Sequence, residues 1–272
     1  MIEVKPTLLK KIYRKRDAWV HKYDFGHLVI IGGSKRYSGS PTFNALAAYR
    51  SGVDLVTVFA PERAANIIAT FKPDLIAYPL KGDYLKPNHL RVIFKSMKNV
   101  TGFVIGGGLG RKKQTKSAVI KFLKKVEIPG IIDADAIHAI ADSVDVVKGK
   151  KFVITPHAHE FYVLSGKKVS TNLAQRIKIV KEVAREMETI ILLKGHVDII
   201  SDGIKVFVNR TGTPCMTKGG LGDVLAGICG ALIARGVEPL VAAQVAAFIN
   251  GKAGELATNV YGEGLMASDV ID

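Results

Sequence analysis

Short apolar runs recur along the chain, and each leads through a glycine-rich or polar loop into a helical pattern. Residues 28–32 and residues 103–106 are two such runs, and both end in glycine. Apolar runs of this length without polar alternation are typical of strands that are buried on both faces. The repeated order of strand, loop and helix predicts an α/β fold, with a mostly parallel central sheet flanked by helices on both faces.

The remaining elements follow the same pattern until a hairpin interrupts it. Further strands are predicted at residues 55–60, 130–133, 152–155 and 189–193, and helices at about 41–50, 112–125 and 222–235, with an alanine-rich helical pair reaching residue 258. After residue 188, two short apolar segments flank an Asp202-Gly203 pair, which is a strong hairpin signal. No stretch has a linker's composition, so we predict one domain over residues 1–272, with residues 1–24 as a basic, partly helical lead-in.

The segment 209–227 strings small, turn-forming residues together and then opens into an apolar helical pattern. Gly219, Gly220 and Gly222 lack a Cβ atom, so the backbone can adopt positive φ angles and approach a bound group closely. The first N–H groups of the following helix have no internal partner and favour an anion such as phosphate. Asp223 adds a carboxylate there, which suits a base acting on a hydroxyl. The alternative is an ordinary glycine-rich loop in which Asp223 supports the first helical turn.

The unusual loops of the chain all follow predicted strands. They comprise residues 33–41, 106–110, 133–135, 155–160, 194–196 and the segment 209–227. Ligands of open parallel sheets bind beyond the carboxyl ends of the strands, so we expect these loops to converge on one face. Lys194, at the end of its strand, could satisfy a helix end or face a nucleotide phosphate.

Several polar side chains in these loops have alternative interpretations. His157, His159 and Glu160 could form a metal site, but two histidines and one carboxylate at this spacing favour substrate binding instead. Asp133 and Asp135 could cap a helix, or they could orient Mg²⁺ and its waters.

The charge balance is basic, with 39 Lys and Arg against 24 Asp and Glu, a formal net charge of +15. The basic residues occur in short clusters without interleaved aromatics, so we predict attraction for an anionic small substrate and no nucleic-acid partner. The apolar runs are too short for a membrane span, and the N-terminus lacks the pattern of a signal peptide. Cys215 and Cys229 are too few for a disulfide framework, and we expect a cytoplasmic protein in which Cys229 is buried.

A series of segments spreads over about residues 16–258: HKYDFG, IIGGSKRYSGSP, VIGGGLGR, IDADAIHAI, ITPHAHEF, LLKGHVDII and NRTGTPCMTKGGLGDVLAGICG. In this order the series resembles the NAD(P)H-hydrate dehydratases, a branch of the ribokinase-like superfamily. The GLGD motif alone is shared with ribokinase-like kinases, whereas the combination of TPHxxE, LKG and GGxGDVLAG is specific to the dehydratases. The resemblance therefore implies a ribokinase-like fold.

The resemblance also implies an activity, the dehydration of (6S)-NAD(P)HX to NAD(P)H with ADP or ATP as co-substrate. The substrate hydroxyl is phosphorylated, and phosphate is then eliminated. Asp223 would deprotonate the hydroxyl, and the amides of Gly220, Leu221 and Gly222 would stabilise the phosphoryl group.

Binding roles follow from the same resemblance. The hydrated cofactor would contact Ser40, Gly108, His157 and Asp223. The adenine nucleotide would be held by Lys194, Gly195, His196, Val197, Asp198 and Gly222. Mg²⁺ would bridge the nucleotide phosphates through water, without a direct protein ligand.

The chain departs from the family pattern at four positions. Leu221 stands where a small hydroxyl residue is usual, so the backbone N–H remains but a hydroxyl contact is lost. Tyr23 replaces a glycine, and Ala158 and His159 replace a proline and a glycine in the substrate loop. The epimerase domain that usually accompanies the family is absent from this chain, and it would be a separate protein if it exists.

Two other functions stay open on the sequence. A ribokinase-like kinase acting on a vitamin-precursor alcohol would use the same anion-binding loop and base. A non-catalytic nucleotide-binding protein would have no need of Asp223. The alanine-rich C-terminal helices and the apolar N-terminal turn suggest a homo-oligomer, although such helices also serve as plain core.

Overall fold

The computed structural model describes all residues from 1 to 272. The strands are β1 (Ile2–Glu3), β2 (His27–Ile31), β3 (Leu55–Pro61), β4 (Ile76–Leu80), β5 (Gly102–Ile105), β6 (Gly130–Ile132), β7 (Phe152–Ile154), β8 (Ile190–Leu193), β9 (Asp198–Ser201) and β10 (Val206–Asn209). The helices are α1 (Thr7–Ile12), α2 (Gly39–Arg50), α3 (Glu62–Phe71), α4 (Leu90–Lys95), α5 (Lys113–Lys125), α6 (Asp135–Ile140), α7 (Ala158–Ser165), α8 (Leu173–Glu186), α9 (Leu221–Ala234), α10 (Pro239–Tyr261) and α11 (Ala267–Ile271).

All strands belong to one 10-stranded sheet in the order β1-β10-β9-β8-β7-β6-β5-β2-β3-β4. Every neighbouring pair is parallel except the two pairs that include β9, which runs antiparallel to both β8 and β10. This arrangement confirms the mostly parallel α/β fold and the hairpin at Asp202-Gly203.

The sheet separates two apolar cores because alternate residues of a strand point to opposite faces. In β2, Leu28 and Ile30 join the core that is covered by α2, α9 and α10, while Val29 and Ile31 join the core beneath α5 and α8. Strands with both faces covered must be apolar throughout, which explains the unbroken runs in the sequence.

Helix α9 packs against α2 at very short range. A Cβ atom at Gly227 would lie only 2.4 Å from the carbonyl oxygen of Asn44. Any other residue there would force the two helices apart, since real Cβ atoms do not approach backbone this closely. The glycine therefore fixes the spacing between the helices that begin at the Gly39 and Leu221 loops.

The alanine-rich helical pair is a wrong prediction, because the structure has one continuous helix, α10, from Pro239 to Tyr261. Gly251 lies inside this helix, where a Cβ atom would meet the Thr211 hydroxyl at 2.1 Å. This glycine allows a close contact between helix and loop and does not break the helix.

The lead-in contains α1 as expected and also the short strand β1, which pairs in parallel with β10 at the sheet edge. Its last turn holds Tyr23 at φ +83°, a left-handed conformation that favours glycine. Tyr23 therefore adopts a backbone conformation that favours glycine, the residue that the family usually has at this position. None of the helices combines the length and the apolar character that crossing a bilayer requires.

Candidate active site

The start of α9 presents its backbone N–H groups to the carboxyl edge of the sheet. None of the N–H groups of residues 219–223 donates a hydrogen bond within the chain. Gly220 caps the helix at φ +95°, and a Cβ atom there would lie 2.7 Å from the Phe43 ring. The loop thus has the positive φ and the free donors that an anion-binding helix start requires.

Asp223 lies in the first turn of α9, next to Ser40 of the predicted substrate site and to Gly107 in the loop after β5. Its Oδ1 atom would be 2.8 Å from a Cβ atom at Gly107, and the Ser40 hydroxyl faces its carboxylate. The Asn44 side chain donates to the Asp223 backbone carbonyl at 2.6 Å. The loops after β2 and β5 and the start of α9 therefore meet at one point.

Burial and the neighbouring Asp133 charge raise the pKa of Asp223 to about 7, against the lowering effects of Ser40 and Lys194. Burial disfavours the charged carboxylate because it removes water, and a nearby negative charge has the same effect. A carboxylate with a pKa in this range can accept a proton from a substrate and release it again near neutral pH.

Lys194 pairs with two buried carboxylates. Its Nζ atom is 3.0 Å from Asp133 Oδ1 and 3.8 Å from Glu160 Oε2. Asp133 also accepts a 2.7 Å hydrogen bond from Thr155. Burial alone would lower the pKa of Lys194, but the surrounding carboxylates, chiefly Asp133 and Glu160, outweigh burial and raise the pKa. Lys194 is therefore a charged member of the site, and Asp133 is not a helix cap.

The Lys194 ammonium also reaches the anion-binding helix start. A Cβ atom at Gly222 would lie 3.3 Å from its Nζ atom. A positive charge and free N–H groups therefore converge on the space in front of Gly222, which strengthens the preference for an anion there.

The carboxylate of Asp198 fixes the conformation of the predicted nucleotide loop, residues 194–198. The Asp198 carboxylate accepts hydrogen bonds from Gly195 N and from Asn209 Nδ2, each at 3.0 Å. Burial raises the pKa of Asp198 to about 6, although these hydrogen bonds oppose the shift. Both carboxylate oxygens are engaged within the chain, so Asp198 shapes this loop while Gly195 and His196 lie exposed on it.

Arg176 also lies beside this loop, and the sequence did not predict this contact. It lies on α8, and its Nη2 atom would be 2.6 Å from a Cβ atom at Gly195. Burial lowers its pKa, and the Asp198 charge raises it. The contact joins residues that are distant in sequence, so no local motif indicates it.

The other predicted substrate residues lie on the same face. Gly33 donates to the Gly107 carbonyl at 2.8 Å, which ties the loops after β2 and β5 together. Gly108 has φ +66°, and a Cβ atom there would lie 2.8 Å from Tyr37 Cβ. The geometry confirms that the strand-end loops converge.

His157 has a structural task at the start of α7. Its Nδ1 atom accepts from His159 N at 3.1 Å and Glu160 N at 3.3 Å, while Glu160 accepts from His157 N at 2.9 Å. This capping arrangement engages Nδ1, and Nε2 lies 3.5 Å from Glu160 Oε1, although the His157 side chain is 54% exposed. No group of three or more His, Cys, Asp and Glu side chains is suited to hold a metal ion.

The fold and the site together define an α/β protein of the ribokinase-like class, with an anion-binding helix start and a carboxylate beside it. A family model described as NAD(P)H-hydrate dehydratase matches residues 28–272. The chain belongs to the NAD(P)H-hydrate dehydratase family.

Individual relatives agree with this assignment. The chain is 43% identical over 94% of its length to the bifunctional NAD(P)H-hydrate repair enzyme Nnr of Pyrobaculum aerophilum, of which it covers 51%. It spans about half the length of several such bifunctional relatives. It is 35% identical to the ADP-dependent (S)-NAD(P)H-hydrate dehydratase of Cenarchaeum symbiosum, over 95% of this chain and 90% of that one.

A solved structure extends the comparison to the fold. The ADP/ATP-dependent NAD(P)H-hydrate dehydratase of Bacillus subtilis, crystallised with ATP and Mg²⁺, matches with a TM-score of 0.80 at 23% identity. The match covers 99% of this chain and 96% of that chain. At this identity the likeness supports the fold.

Proposed function

We propose that this protein is a dehydratase that converts (6S)-NAD(P)HX to NAD(P)H with ADP or ATP as co-substrate, within a single domain of residues 1–272. The observation that carries the proposal is the Asp223 carboxylate, whose pKa is raised to about 7, beside the free N–H groups at the start of α9. Family membership and the relatives' names support the same activity.

The first chemical step is phosphoryl transfer to the substrate hydroxyl. The hydroxyl oxygen forms a bond to the terminal phosphorus, the bond between that phosphorus and the nucleotide breaks, and the hydroxyl proton passes to Asp223. The amides of Gly220, Leu221 and Gly222 stabilise the negative charge on the transferring phosphoryl group. The Lys194 ammonium adds to this stabilisation. Phosphate then leaves the carbon that carried the hydroxyl, and loss of a proton from the adjacent carbon forms the double bond.

The order of the strands supports a placement of the two substrates on different sides of Asp223. The hydrated cofactor would lie over the loops after β2, β5 and β7, against Ser40, Gly108 and His157. The nucleotide would lie over residues 194–198 at the end of β8, with Gly222 between the two. Such a placement sets the terminal phosphate against the hydroxyl that it receives.

Mg²⁺ fits the chemistry of the donors on this face. Asp133 and Glu160 are almost fully buried carboxylates that share the single Lys194 ammonium, and Mg²⁺ prefers oxygen ligands. These side chains would hold a hydrated Mg²⁺ through its waters, together with the nucleotide phosphates. When bound, the ion would neutralise part of the phosphate charge.

The assembly and location that accompany this activity are further proposals. Apolar side chains lie exposed in the second half of α10, at Leu256, Val260 and Tyr261, and just before α11, at Met266. They suit a contact between copies of this chain in a homo-oligomer. Light scattering after size-exclusion chromatography would measure the subunit number. Cys215 and Cys229 are both free thiols, which fits a reducing cytoplasm.

One assay tests the activity and separates it from the kinase alternative. The purified protein is incubated with NADHX or NADPHX, Mg²⁺, and either ADP or ATP, and the absorbance of the reduced cofactor is followed. We expect the absorbance to rise with at least one nucleotide. Failure with both hydrates and both nucleotides, together with stable phosphorylation of an alcohol such as hydroxyethylthiazole, would establish the kinase instead.

A further inference from the structure

Arg111 follows the glycine-rich loop after β5, and two side chains of α6 hold its guanidinium. Its Nε atom is 3.2 Å from Asp135 Oδ1, and its Nη2 atom is 2.9 Å from His138 Nε2. Asp135 also accepts a 2.8 Å hydrogen bond from Gly110 N, which ties the loop to the same carboxylate. The Arg111 side chain is nevertheless 65% exposed. Its guanidinium is thus held in one orientation while much of the side chain remains accessible to solvent.

The hydrogen bonds leave the Nη1 edge of Arg111 free. A guanidinium has donors only, so His138 Nε2 must accept, and the neutral imidazole carries its proton on Nδ1. Burial, followed by the Arg111 charge, lowers the pKa of His138, in agreement with a neutral ring. No partner within the chain accepts from Nη1. The free Nη1 hydrogens can therefore donate to the oxygens of an anion, as guanidinium groups do with phosphates.

Asp135 does not cancel this site, although it pairs with Arg111. It lies in the first turn of α6, where the helix start stabilises a carboxylate, and Gly110 N engages its second oxygen. It faces the Nε side of the guanidinium, away from Nη1. Its role is to orient the arginine.

His159 adds a second polar group to the same rim. Its ring centroid is 6.2 Å from that of His138 and 6.3 Å from that of His157. His159 is exposed, and it occupies the substrate-loop position where the family usually has glycine. The rim formed by Arg111, His138 and His159 therefore borders His157 and the Gly108 loop.

The rim lies on the side of the proposed hydrated cofactor. Its residues follow β5, β6 and β7, which are neighbours in the sheet, whereas the proposed nucleotide loop follows β8. A dinucleotide whose nicotinamide end lies at Asp223 must extend its phosphates over neighbouring loops, and the rim offers phosphate-binding chemistry there.

We propose that Arg111 and His159 bind a phosphate group of the hydrated dinucleotide, either its pyrophosphate or the 2′-phosphate of NADPHX, and that Asp135 and His138 position Arg111 for this contact. The inference rests on the proposed function. Because the contact lies away from the reacting hydroxyl, it stabilises bound substrate and transition state alike. It therefore acts on KM more than on kcat.

The test compares Arg111→Met, Arg111→Lys and His159→Gly with the unaltered protein, using NADHX and NADPHX separately. We expect Arg111→Met to raise KM roughly tenfold or more, because hydrogen bonds to charged groups are strong, while kcat changes little. Arg111→Lys keeps the charge but loses the planar set of guanidinium donors. Its KM should therefore lie between those of Arg111→Met and the unaltered protein. His159→Gly should raise KM by a smaller factor.

Arg50→Met is the matched control. Arg50 also forms an exposed ion pair with an aspartate, Asp272, at 3.2 Å, but it ends α2 at the opposite edge of the sheet. Its replacement removes the same charge and should leave both KM values unchanged.

The pattern across substrates identifies the phosphate. Equal rises of KM for both hydrates indicate the pyrophosphate, and a rise confined to NADPHX indicates the 2′-phosphate. An Arg111→Met protein that folds and turns over both hydrates with unaltered KM overturns the inference and leaves the activity standing. An unaltered protein that forms no reduced cofactor from either hydrate overturns both.

Discussion

The Nζ atom of Lys194 lies 3.0 Å from Oδ1 of Asp133, and this ion pair joins the end of β8 to the end of β6. The Asp133 side chain is 3% exposed and that of Lys194 is 19% exposed, so water screens the pair poorly. The same aspartate is the charge that, after burial, does most to raise the pKa of Asp223. The lysine therefore both balances the carboxylates and limits their effect on the proposed base.

Replacing Lys194 by Met should destabilise the nucleotide-free protein by about 3–5 kcal/mol, since it leaves buried carboxylates without a counter-charge. Urea denaturation measures the loss. Adding Asp133→Asn should recover part of the stability. Lys116→Met is the control because Lys116 pairs with the exposed Asp142, and its loss should cost about 1 kcal/mol or less. A double variant as unstable as Lys194→Met alone would show that the pair is not the cause.

Replacing Asp223 by Asn should lower kcat by orders of magnitude while nucleotide affinity stays within a few-fold, because the amide cannot accept the proton but occupies the same space. Cofactor absorbance measures kcat and calorimetry measures the nucleotide Kd. Asp142→Asn, on an exposed aspartate, serves as the control. Equal losses of turnover and of nucleotide binding would contradict the role of base.

The activity should fall as the pH is lowered through about 7, the pKa of Asp223, since a base must be deprotonated to act. The pH profile of kcat/KM for the hydrate measures this limb. In Asp133→Asn the limb should move to lower pH, because a negative charge that raises the Asp223 pKa is removed. A limb that keeps its position in Asp133→Asn would assign the titration to another group.

Replacing Leu221 by Ala should cost about 2–5 kcal/mol of stability and leave kcat within a few-fold, since the side chain is 4% exposed in the core while the proposed catalytic group is its backbone N–H. Leu221→Ser should cost at least as much, but it restores the hydroxyl that the family usually has. Thermal unfolding and steady-state rates measure the two effects. A large fall in kcat for the Ala variant would mean that the side chain itself shapes the anion site.

Replacing Tyr23 by Gly should stabilise the protein by about 1 kcal/mol, because glycine adopts the observed φ of +83° without steric cost. This gain corresponds to a rise in Tm of about 2–4 °C. Tyr23→Ala removes the same ring but keeps a Cβ atom, so it should bring no gain. Equal effects of the two changes would trace the result to the ring's contact with His27.

Much of the site was predictable because its geometry follows from local rules. Parallel strands bring their carboxyl ends to one edge, and glycines at the start of an apolar helix indicate free N–H groups. The sequence alone therefore predicts that Asp223, Gly222 and Lys194 lie on one face of the sheet.

Contacts between distant parts of the chain were not predictable in the same way. Nothing in the sequence near Asn44 indicates that its amide holds the Asp223 carbonyl 179 residues away. The edge strand β1 has two residues, too few for a recognisable pattern. The Asp135 and His138 contacts to Arg111 arise only when neighbouring strands place α6 beside the β5 loop.

The close packing of Gly227 on Asn44 also restricts the motion of the residues at the starts of α2 and α9. Ser40 stands at the start of α2 and Asp223 at the start of α9, and the two helices touch too closely to slide past one another. The proposed base and the serine beside it are therefore a preformed unit, and we expect its shape to change little when substrate binds. We expect any closure around the reactants to involve Gly195 and His196, which lie exposed on the proposed nucleotide loop.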